Sequence, residues 1–426
     1  MRENRVGGAG LGSRATTGLI LLALVMVSIN LRPAITTVAG VMNQVHGVYG
    51  LDPSLLPLLG TMPVLAFGIS GPIGPWLARR LGTGRAVAVA LLALAAALIL
   101  RATVPALLLP GTFLAGMAIM SASVLVPQIV KSNRGTGWWT GLCTMGFGLG
   151  AALGAGLVQP LEQAFGGSLP SALAAWAVPA LLGAFLIHRS GGRTTSTPPS
   201  PGTASQVPGP ASPVSGSASP LRKQRTAWAV TAFFGLQAML YFAITSWLAV
   251  YLVSRGLSPS DAAALLAWFS LAGLPASLLA PVLAGRPRIL RVMAPGLGIS
   301  VALALVGVLV APVGLQFVMV GILGVVQSAG FGLAMALVVI RSAGPQSAGR
   351  LSAMSQGFGF ALASLGPLGA GLLHTMTGGW ELTFWTLSAE ALVLAGAGFL
   401  AIRGPVVSVG LTEVPPQPAS KAGSLR

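Results

Sequence analysis

The sequence predicts an all-α integral membrane protein with twelve transmembrane helices in two six-helix bundles and with both termini in the cytoplasm. Three observations lead to this fold class: the scarcity of charge, twelve long apolar stretches, and a polar segment that divides them into two sets of six. Only 7% of the 426 residues are charged and 54% are hydrophobic, with a mean hydropathy of +0.84. A soluble chain has about 25% charged residues, so most of this surface must face lipid.

A helix needs about 20 mostly apolar residues to cross a bilayer, and twelve stretches meet this requirement. We number them as spans 1 to 12. In chain order they cover residues 19–41, 54–77, 86–104, 106–130, 137–160, 168–188, 226–253, 262–284, 292–311, 313–340, 350–374 and 380–402. The basic tail before span 1 resembles the start of a signal peptide, but the apolar run is too long for one and eleven spans follow it.

The positions of the basic residues predict the orientation. If the N-terminus is cytoplasmic, two of the 24 Lys and Arg residues, Arg101 and Arg255, lie outside, and Arg32 lies within span 1. The other 21 lie on the cytoplasmic side, as the positive-inside rule requires. The net charge of +17 is therefore a topology signal rather than a nucleic-acid surface, because the cations are scattered between apolar runs.

A segment at residues 190–220 separates the two sets of spans. Pro, Ser, Gly and Thr supply 24 of its 31 residues, a composition that cannot bury a core. The motif GFG at 146–148 in span 5 recurs at 357–359 in span 11, which favours two parallel repeats. We therefore predict a cytoplasmic tail (1–18), an N-terminal bundle (19–189), a disordered cytoplasmic linker (190–225), a C-terminal bundle (226–403) and a second cytoplasmic tail (404–426).

Twelve spans in two halves with a basic central loop resemble the layout of the major facilitator superfamily. The loop between spans 2 and 3, GPWLARRLGTGR at 74–85, resembles the superfamily pattern G-x-x-x-D-R-x-G-R-[KR], with matches at Arg80 and Gly82. It departs from the pattern at Arg79, where the family has an acidic residue that helps to lock the cytoplasmic side. We predict a gating role for Gly74, Arg80 and Gly82, the alternative being a basic loop with a tight turn.

Further segments resemble the branch of cyanate and 2-nitroimidazole transporters. They are NLRPA at 30–34, VLVPQIVK at 124–131, GLQAMLYF at 235–242 with SWL at 246–248, and LSAMSQGFG at 351–359 with LGP at 365–367. The resemblance runs from about residue 19 to residue 402 without the linker. It implies a multi-pass protein of the inner cell membrane that transports small organic or inorganic solutes, often anions or small polar heterocycles.

Arg32 is the sharpest candidate for a binding residue. It lies 13 residues into span 1, which places it roughly 20 Å deep, where a charge costs about 2.5–3.5 kcal/mol. Pro33 frees a backbone carbonyl and can kink the helix there, so we also assign it a gating role. We predict that the guanidinium fork binds an anionic or electron-rich solute and that Asn30 orients it. The alternative is a gating or inter-helix hydrogen bond without solute contact.

Other polar side chains in the spans are candidates for the same cavity. Gln237 and Tyr241 are four residues apart and share one face of span 7. Gln128, Gln327 and Gln356 could donate to the solute or could hydrogen-bond to neighbouring helices, which is the commoner use of such amides. Small-residue surfaces in spans 5 and 11 could line the seam between the bundles and allow sliding, or could serve tight packing alone; they include Gly146, Gly148, Gly357 and Gly359.

The sequence offers little for ion coupling or for a cofactor. Spans 1–6 contain no central Asp or Glu, and Glu390 in span 12 is the only carboxylate deep in a span. A coupling proton is therefore unproven. One cysteine and three scattered histidines indicate no metal site, and no motif indicates a cofactor.

We predict a secondary active or facilitated transporter of a small polar or anionic solute that works by rocking-bundle alternating access. The resemblance to the superfamily implies that it works as a monomer. The solute is expected to be cyanate-like, nitroimidazole-like or an organic anion, and the other partner is the lipid bilayer. A multidrug or metabolite efflux carrier of the same fold remains an alternative. Outside the carriers, the alternatives are a membrane enzyme, which would need clustered His, Asp or Glu at membrane depth, and a membrane sensor without flux.

Overall fold

The computed structural model describes residues 8–40, 47–50, 56–190 and 220–409. These residues are almost entirely helical, and the isolated bridge between Ser342 and Val407 is their one β-type pairing. Helices are the form expected for apolar segments in lipid, because each helix satisfies its own backbone hydrogen bonds. The described residues therefore agree with the predicted all-α class.

In the N-terminal half, several spans consist of two shorter helices. The helices are Gly8–Asn30 and Pro33–Gly40 in span 1, Leu56–Ser70 and Ile73–Leu81 in span 2, Thr83–Thr103 in span 3, Leu108–Ser123 and Val126–Ser132 in span 4, Gly137–Ala164 in span 5, and Leu169–Ala174 and Ala177–Arg189 in span 6.

The C-terminal half has longer helices and two broken spans. The helices are Arg225–Ser254 in span 7, Pro259–Ala272 and Leu274–Ala284 in span 8, Pro287–Val310 in span 9, Gln316–Ile340 in span 10, Pro345–Ala363 and Leu365–Thr377 in span 11, and Glu381–Arg403 in span 12.

Ten helical stretches of the described residues are long and apolar enough to cross a membrane, and an eleventh is span 5, which bends by 42° near residue 155. Span 2 falls outside this set; its described helices have 15 and 9 residues. The chain is thus a multi-pass membrane protein. A total of twelve spans and the cytoplasmic position of both termini stay predictions.

Prolines mark several of the helix breaks inside the spans. Pro33 begins the second helix of span 1, and Pro72 precedes the second helix of span 2. Pro127 and Pro275 lie in the first turn of the second helices of spans 4 and 8. Proline fits the first turn of a helix, where its missing N–H is not needed, but it interrupts a continuing one.

Close packing of small residues holds the helices of each half together. Gly298 of span 9 lies against span 12, where a Cβ added to it would be 2.5 Å from the carbonyl oxygen of Ala391. Gly116 of span 4 lies against span 2, where a Cβ added to it would be 2.7 Å from the Cβ of Ala66. Membrane helices associate through such backbone approaches, because lipid provides no hydrophobic driving force between them.

Two of the seams between the halves lie toward the arginine-rich ends of the helices. In the first, Thr144 of span 5 donates from Oγ1 to the carbonyl oxygen of Ser277 in span 8, over 2.6 Å. In the second, Gly71 of span 2 faces Gly357 of span 11, and a Cβ on Gly71 would be 3.2 Å from the Cα of Gly357. The molecule is therefore closed at the end that the basic residues predict to be cytoplasmic.

The predicted tails and linker are only partly described. Residues 1–7, 191–219 and 410–426 lie outside the described residues. The first helix begins at Gly8, and its part that is apolar enough to cross a membrane begins at Thr17. After span 12, Val407 donates from its N–H to the carbonyl oxygen of Arg341 over 2.7 Å and accepts from the N–H of Ala343 over 2.9 Å. The start of the second tail is thus attached to the loop between spans 10 and 11.

Replacement of Gly141 by valine should destabilise the seam between spans 5 and 8. The new side chain would overlap with the backbone carbonyl of Leu278, and overpacking of this kind costs about 1–3 kcal/mol. We expect a lower thermal unfolding temperature of the purified protein. Gly396→Val is the matched control, because a Cβ at Gly396 meets no atom within 4 Å. Equal losses in the two variants would contradict a tight seam at Gly141.

Candidate functional site

Arg32 lies at the break in span 1, between helices that end at Asn30 and begin at Pro33. Its carbonyl oxygen accepts hydrogen bonds from the backbone N–H groups of Ile35, over 3.0 Å, and Thr36, over 3.2 Å. The first turn of the second helix of span 1 therefore hydrogen-bonds to the backbone of Arg32. This placement fixes the backbone of Arg32 while its side chain leaves the helical ladder.

The guanidinium of Arg32 lies between two aromatic rings that belong to opposite halves of the protein. Its Cζ atom is 5.9 Å from the ring centroid of Phe147 in span 5 and 5.9 Å from that of Phe331 in span 10. The two rings meet each other edge to face, with centroids 5.8 Å apart. Cation–π contacts at this distance partly compensate the charge of Arg32 without occupying its hydrogen-bond donors.

Arg32 lines the larger of two central cavities, which has a free volume of about 80 Å³ between spans 1, 5, 7, 8 and 10. Neutral hydrogen-bonding side chains surround the rest of this cavity: Thr144, Tyr241, Ser270, Ser277, Gln327 and Ser328. The rings of Phe147, Phe269 and Phe331 supply its apolar surface. A mostly apolar pocket with a few convergent polar groups is typical of a small-molecule site.

A smaller cavity, with a free volume of about 10 Å³, lies between spans 1, 2, 4, 5, 10 and 11. Arg32, Phe147 and Phe331 line it as well, so these three side chains separate the two spaces. Ser123 and Gln356 are its polar residues besides Arg32. Among the described residues that line either cavity, Arg32 is the one charged side chain, and none is acidic.

An amide pair holds spans 7 and 10 together beside the larger cavity. Gln237, which is only 1% exposed, donates from Nε2 to the backbone oxygen of Gln327 over 2.7 Å and to its side-chain Oε1. The Nε2 of Gln327 has no partner within the described part of the chain. Gln327 therefore brings a spare donor to a cavity wall, and Gln237 fixes its position.

The structure distributes the seven predicted binding residues among three places. Arg32, Tyr241 and Gln327 line the larger cavity, and Gln356 lines the smaller one. Gln356 accepts from Ser123 Oγ over 2.6 Å and donates to Ser352 Oγ over 2.8 Å, so it also joins spans 4 and 11.

Asn30 and Gln128 lie away from both cavities. Asn30 donates from Nδ2 to the carbonyl oxygens of Met26, over 2.7 Å, and Pro179, over 3.0 Å, which links span 1 to span 6. Gln128 donates from Nε2 to Thr83 Oγ1 over 3.0 Å, which links span 4 to span 3. Gln128 thus makes the inter-helix contact that was its alternative to solute binding. Asn30, which was predicted to orient Arg32, makes an inter-helix contact as well.

The predicted gating residues in the loop after span 2 form a tight turn. Gly82 has a φ of 83°, which favours glycine, and its N–H donates to the carbonyl oxygen of Ala78 over 3.0 Å. The Arg80 guanidinium carbon lies 4.8 Å from the ring centroid of Trp76. Gly74 packs against span 4, where a Cβ would be 2.6 Å from the carbonyl oxygen of Ser121.

The GFG motifs of spans 5 and 11 have different surroundings. Gly146 faces Ser28 of span 1, Gly148 lines the larger cavity, and Phe147 between them reaches Arg32. In the second motif, Gly357 lies at the seam with span 2 and Gly359 packs against span 7.

The aromatic partners of Arg32 were not among the residues predicted from the sequence. Phe358, the phenylalanine of the second motif, is 60% exposed on the outer surface, so the repeat alone does not indicate which ring enters a cavity. Phe147 and Phe331 each lie between two glycines, in GFG at 146–148 and in GFG at 330–332. This shared motif is the signal that could have identified both rings.

Comparisons with known proteins agree with this architecture. The family profile of the Major Facilitator Superfamily matches residues 15–365. The chain belongs to this superfamily. Among curated proteins, it is 30% identical over 384 residues to the uncharacterized transporter YycB of Bacillus subtilis (strain 168), covering 89% of this chain and 92% of the relative.

Two relatives from Escherichia coli (strain K12) have named solutes. The chain is 28% identical to the cyanate transport protein CynX, covering 91% of this chain and 98% of the relative, and 27% identical to a 2-nitroimidazole transporter, covering 90% and 95%. These matches confirm the predicted resemblance to the cyanate and 2-nitroimidazole branch. The superfamily member described here is thus a transporter of small solutes rather than an enzyme.

Solved structures show the same fold at low sequence identity. The proton:xylose symporter XylE superposes with a TM-score of 0.68 at 12% identity, covering 92% of this chain and 98% of XylE. The human organic anion transporter MFSD10 superposes with a TM-score of 0.64 at 15% identity, covering 89% and 99%. These similarities establish the fold alone.

Replacement of Gln237 by leucine should destabilise the protein more than the same change at the surface. The substitution leaves the backbone and side-chain oxygens of Gln327 without their buried donor, and an unsatisfied buried polar group costs about 1–3 kcal/mol. Gln346→Leu is the control, because Gln346 is exposed at the start of span 11. Thermal unfolding of both purified variants is the measurement. Similar unfolding temperatures would contradict a structural role for the amide pair.

Proposed function

We propose that this protein carries a small monovalent anion, with cyanate as the model solute, and that Arg32 is its anion-binding residue. The observation that supports this most strongly is the charge distribution of the central cavities. Arg32 is the one charged side chain among their described lining residues, and no carboxylate accompanies it. A cation at membrane depth without a carboxylate partner favours an anion as its counter-charge.

The neutral groups of the larger cavity suit the rest of such a solute. The Arg32 guanidinium presents several donors in a planar fork, and the hydroxyl of Tyr241 and the spare donor of Gln327 line the same space. We propose that the anion lies between Arg32 and these neutral donors. Asn30, Gln128 and Gln237 would then act on the site through helix positions rather than by solute contact, whereas Gln356 would act from the smaller cavity.

A nitroimidazole-like heterocycle is the second candidate, and the aromatic walls are the observation that favours it. Phe147, Phe269 and Phe331 surround the larger cavity, and flat rings bind well against aromatic side chains in offset or edge-to-face contacts. An organic anion of moderate size would use both features. A multidrug efflux role is less well supported, because a lipophilic cation would meet the like charge of Arg32.

We further propose that transport proceeds by alternating access of the two halves, in a monomer of the inner cell membrane. Both halves contribute to the environment of Arg32, through Phe147 and Phe331. The seams at spans 5 and 8 and at spans 2 and 11 close the arginine-rich end. A solute that binds Arg32 would therefore change contacts on both sides of the seam, as rocking of the bundles requires.

Coupling through a carboxylate proton relay has little support in this cavity. Glu390 in span 12 lines neither central cavity, and the other described acids, Glu162, Asp261 and Glu381, lie at the helix ends predicted to be external. We propose that any coupling uses the charge of the solute itself. A sensor without flux would bind the same anion but would fail every vesicle-uptake measurement.

Removal of the charge at position 32 should abolish most uptake. We expect Arg32→Gln to reduce the initial rate of radiolabelled cyanate uptake into proteoliposomes by roughly tenfold to a hundredfold, because hydrogen bonds to a charged group contribute about 1.5–3 kcal/mol. Arg32→Lys should retain part of the activity, since it keeps the charge but loses the fork.

Arg85→Gln is the control for the loss of one positive charge, because Arg85 is exposed near the start of span 3. It should transport at the wild-type rate. If Arg32→Gln inserts normally and transports cyanate as fast as this control, Arg32 does not bind the solute.

Exchange of anions should be faster than net uptake. An empty carrier must pass through its closed intermediate with Arg32 uncompensated, and a buried charge without a counter-charge is unfavourable. We expect vesicles preloaded with unlabelled cyanate to take up labelled cyanate several-fold faster than empty vesicles. Equal initial rates in the two preparations would contradict this expectation. They would show that the uncompensated charge of Arg32 does not slow the return of the empty carrier.

A further inference from the structure

A large groove lies on the outer surface of the protein between spans 2 and 11, separate from both central cavities. This lateral groove has a free volume of about 500 Å³. Its apolar wall includes Ile69 and Phe358, whose side chains are 67% and 60% exposed. Arg79 and Arg350 lie at one end, and none of the twelve lining residues is acidic.

The length of the lateral groove corresponds to one leaflet of a bilayer. At its apolar end, Gly68 packs against Ala361, where a Cβ on Gly68 would be 3.5 Å from the Cβ of Ala361. From Gly68 to Arg79 in span 2, and from Arg350 to Ala361 in span 11, the chain advances eleven residues, or roughly 16 Å of helix. The hydrocarbon core is about 30 Å thick, so this distance leads from its surface to its middle.

A short basic turn before span 7 also borders the end of the lateral groove at which Arg79 and Arg350 lie. Leu221 lines the groove and belongs to the turn Leu221–Lys223, which also contains Arg222. Trp228 fixes this turn, because its Nε1 donates to the carbonyl oxygen of Arg222 over 2.8 Å. The ring of Trp228 also lies 5.6 Å from that of Phe358. Tryptophan at such a position is typical of the membrane–water interface.

We propose that the lateral groove binds an anionic phospholipid of the leaflet on the arginine-rich side. The lipid phosphate would lie between Arg79 and Arg350, and one acyl chain would lie along Ile69 and Phe358. The absence of acidic residues from the lining favours a lipid with net negative charge over a zwitterionic one, since basic residues near a membrane surface attract anionic headgroups.

Occupation of the groove has a mechanical consequence. Gly357 lines the lateral groove and also faces Gly71 across the seam between the halves. Arg79 belongs to the N-terminal half and Arg350 to the C-terminal half. One lipid phosphate bound to both arginines would therefore stabilise the form that is closed at this end.

Lipid binding to the purified full-length protein tests this site without any transport measurement. Delipidated protein in detergent is titrated with phosphatidylglycerol or with phosphatidylcholine, and native mass spectrometry counts the bound lipids. We expect the wild-type protein to prefer phosphatidylglycerol. The double variant R79Q/R350Q should bind it roughly tenfold more weakly, because two basic contacts at the surface are lost. R79K/R350K should retain most of the preference.

The double variant R286Q/R288Q is the matched control, because it removes two charges from exposed positions between spans 8 and 9. It should keep the wild-type affinity. An equal loss in both double variants would mean general surface attraction and would overturn the site.

The acyl-chain part of the site has its own test. F358S should weaken phosphatidylglycerol binding. Glycerol 3-phosphate, which has no acyl chain, should compete poorly. Full competition by glycerol 3-phosphate would overturn the lipid assignment in favour of a soluble-anion site. A second copy of the chain in the groove, detected as a dimer that phosphatidylglycerol does not disperse, would also overturn it.

Discussion

An arginine without a carboxylate partner at membrane depth is the constraint around which the centre of this protein is built. A charge at this depth costs about 2.5–3.5 kcal/mol on insertion scales, so the surrounding structure must reduce that cost. Three features do so: a break in span 1 at Arg32, a cavity lined by neutral hydrogen-bonding groups, and two aromatic rings 5.9 Å from the guanidinium carbon. None of these features neutralises the charge. Arg32 therefore still lacks a counter-charge, which an anionic solute would supply. This explains why an anion suits the site better than a cation.

The same residues connect binding to movement of the halves. Phe147 comes from the N-terminal half and Phe331 from the C-terminal half, and the larger cavity takes its walls from both. Ser123 and Gln356 form a further hydrogen bond between the halves, 2.6 Å long, at the wall of the smaller cavity. A solute that changes the position of Arg32 would therefore act on contacts that belong to two rigid bundles. The lateral groove lies behind one seam, so lipid on the outside and solute on the inside would act on the same interface.

Much of the fold could be predicted from the sequence because it depends on composition along the chain. Long apolar runs indicate the helices, and Arg32 with Pro33 indicated a broken span with a charge inside it. The roles of the amides could not be separated in this way. Gln327 lines the cavity whereas Gln128 bonds to Thr83, and only the three-dimensional packing of the helices distinguishes them. Phe331 lies in GFG at 330–332 as Phe147 does in GFG at 146–148, but the motif alone does not separate these two rings from the exposed Phe358 of GFG at 357–359.

Chemical restoration of the charge at position 32 tests the central claim most directly. In an Arg32→Cys, Cys143→Ala protein, the single remaining thiol is at the site; the natural Cys143 is only 1% exposed. Reaction with a thiosulfonate that attaches an aminoethyl group adds a positive charge, whereas one that attaches a methyl group adds none. Cyanate affinity of the purified protein is then measured by calorimetry. The account predicts that the aminoethyl adduct regains binding and that the methyl adduct does not. Equal binding by the two adducts, or tight binding before modification, would contradict a role of the charge at position 32 in anion recognition.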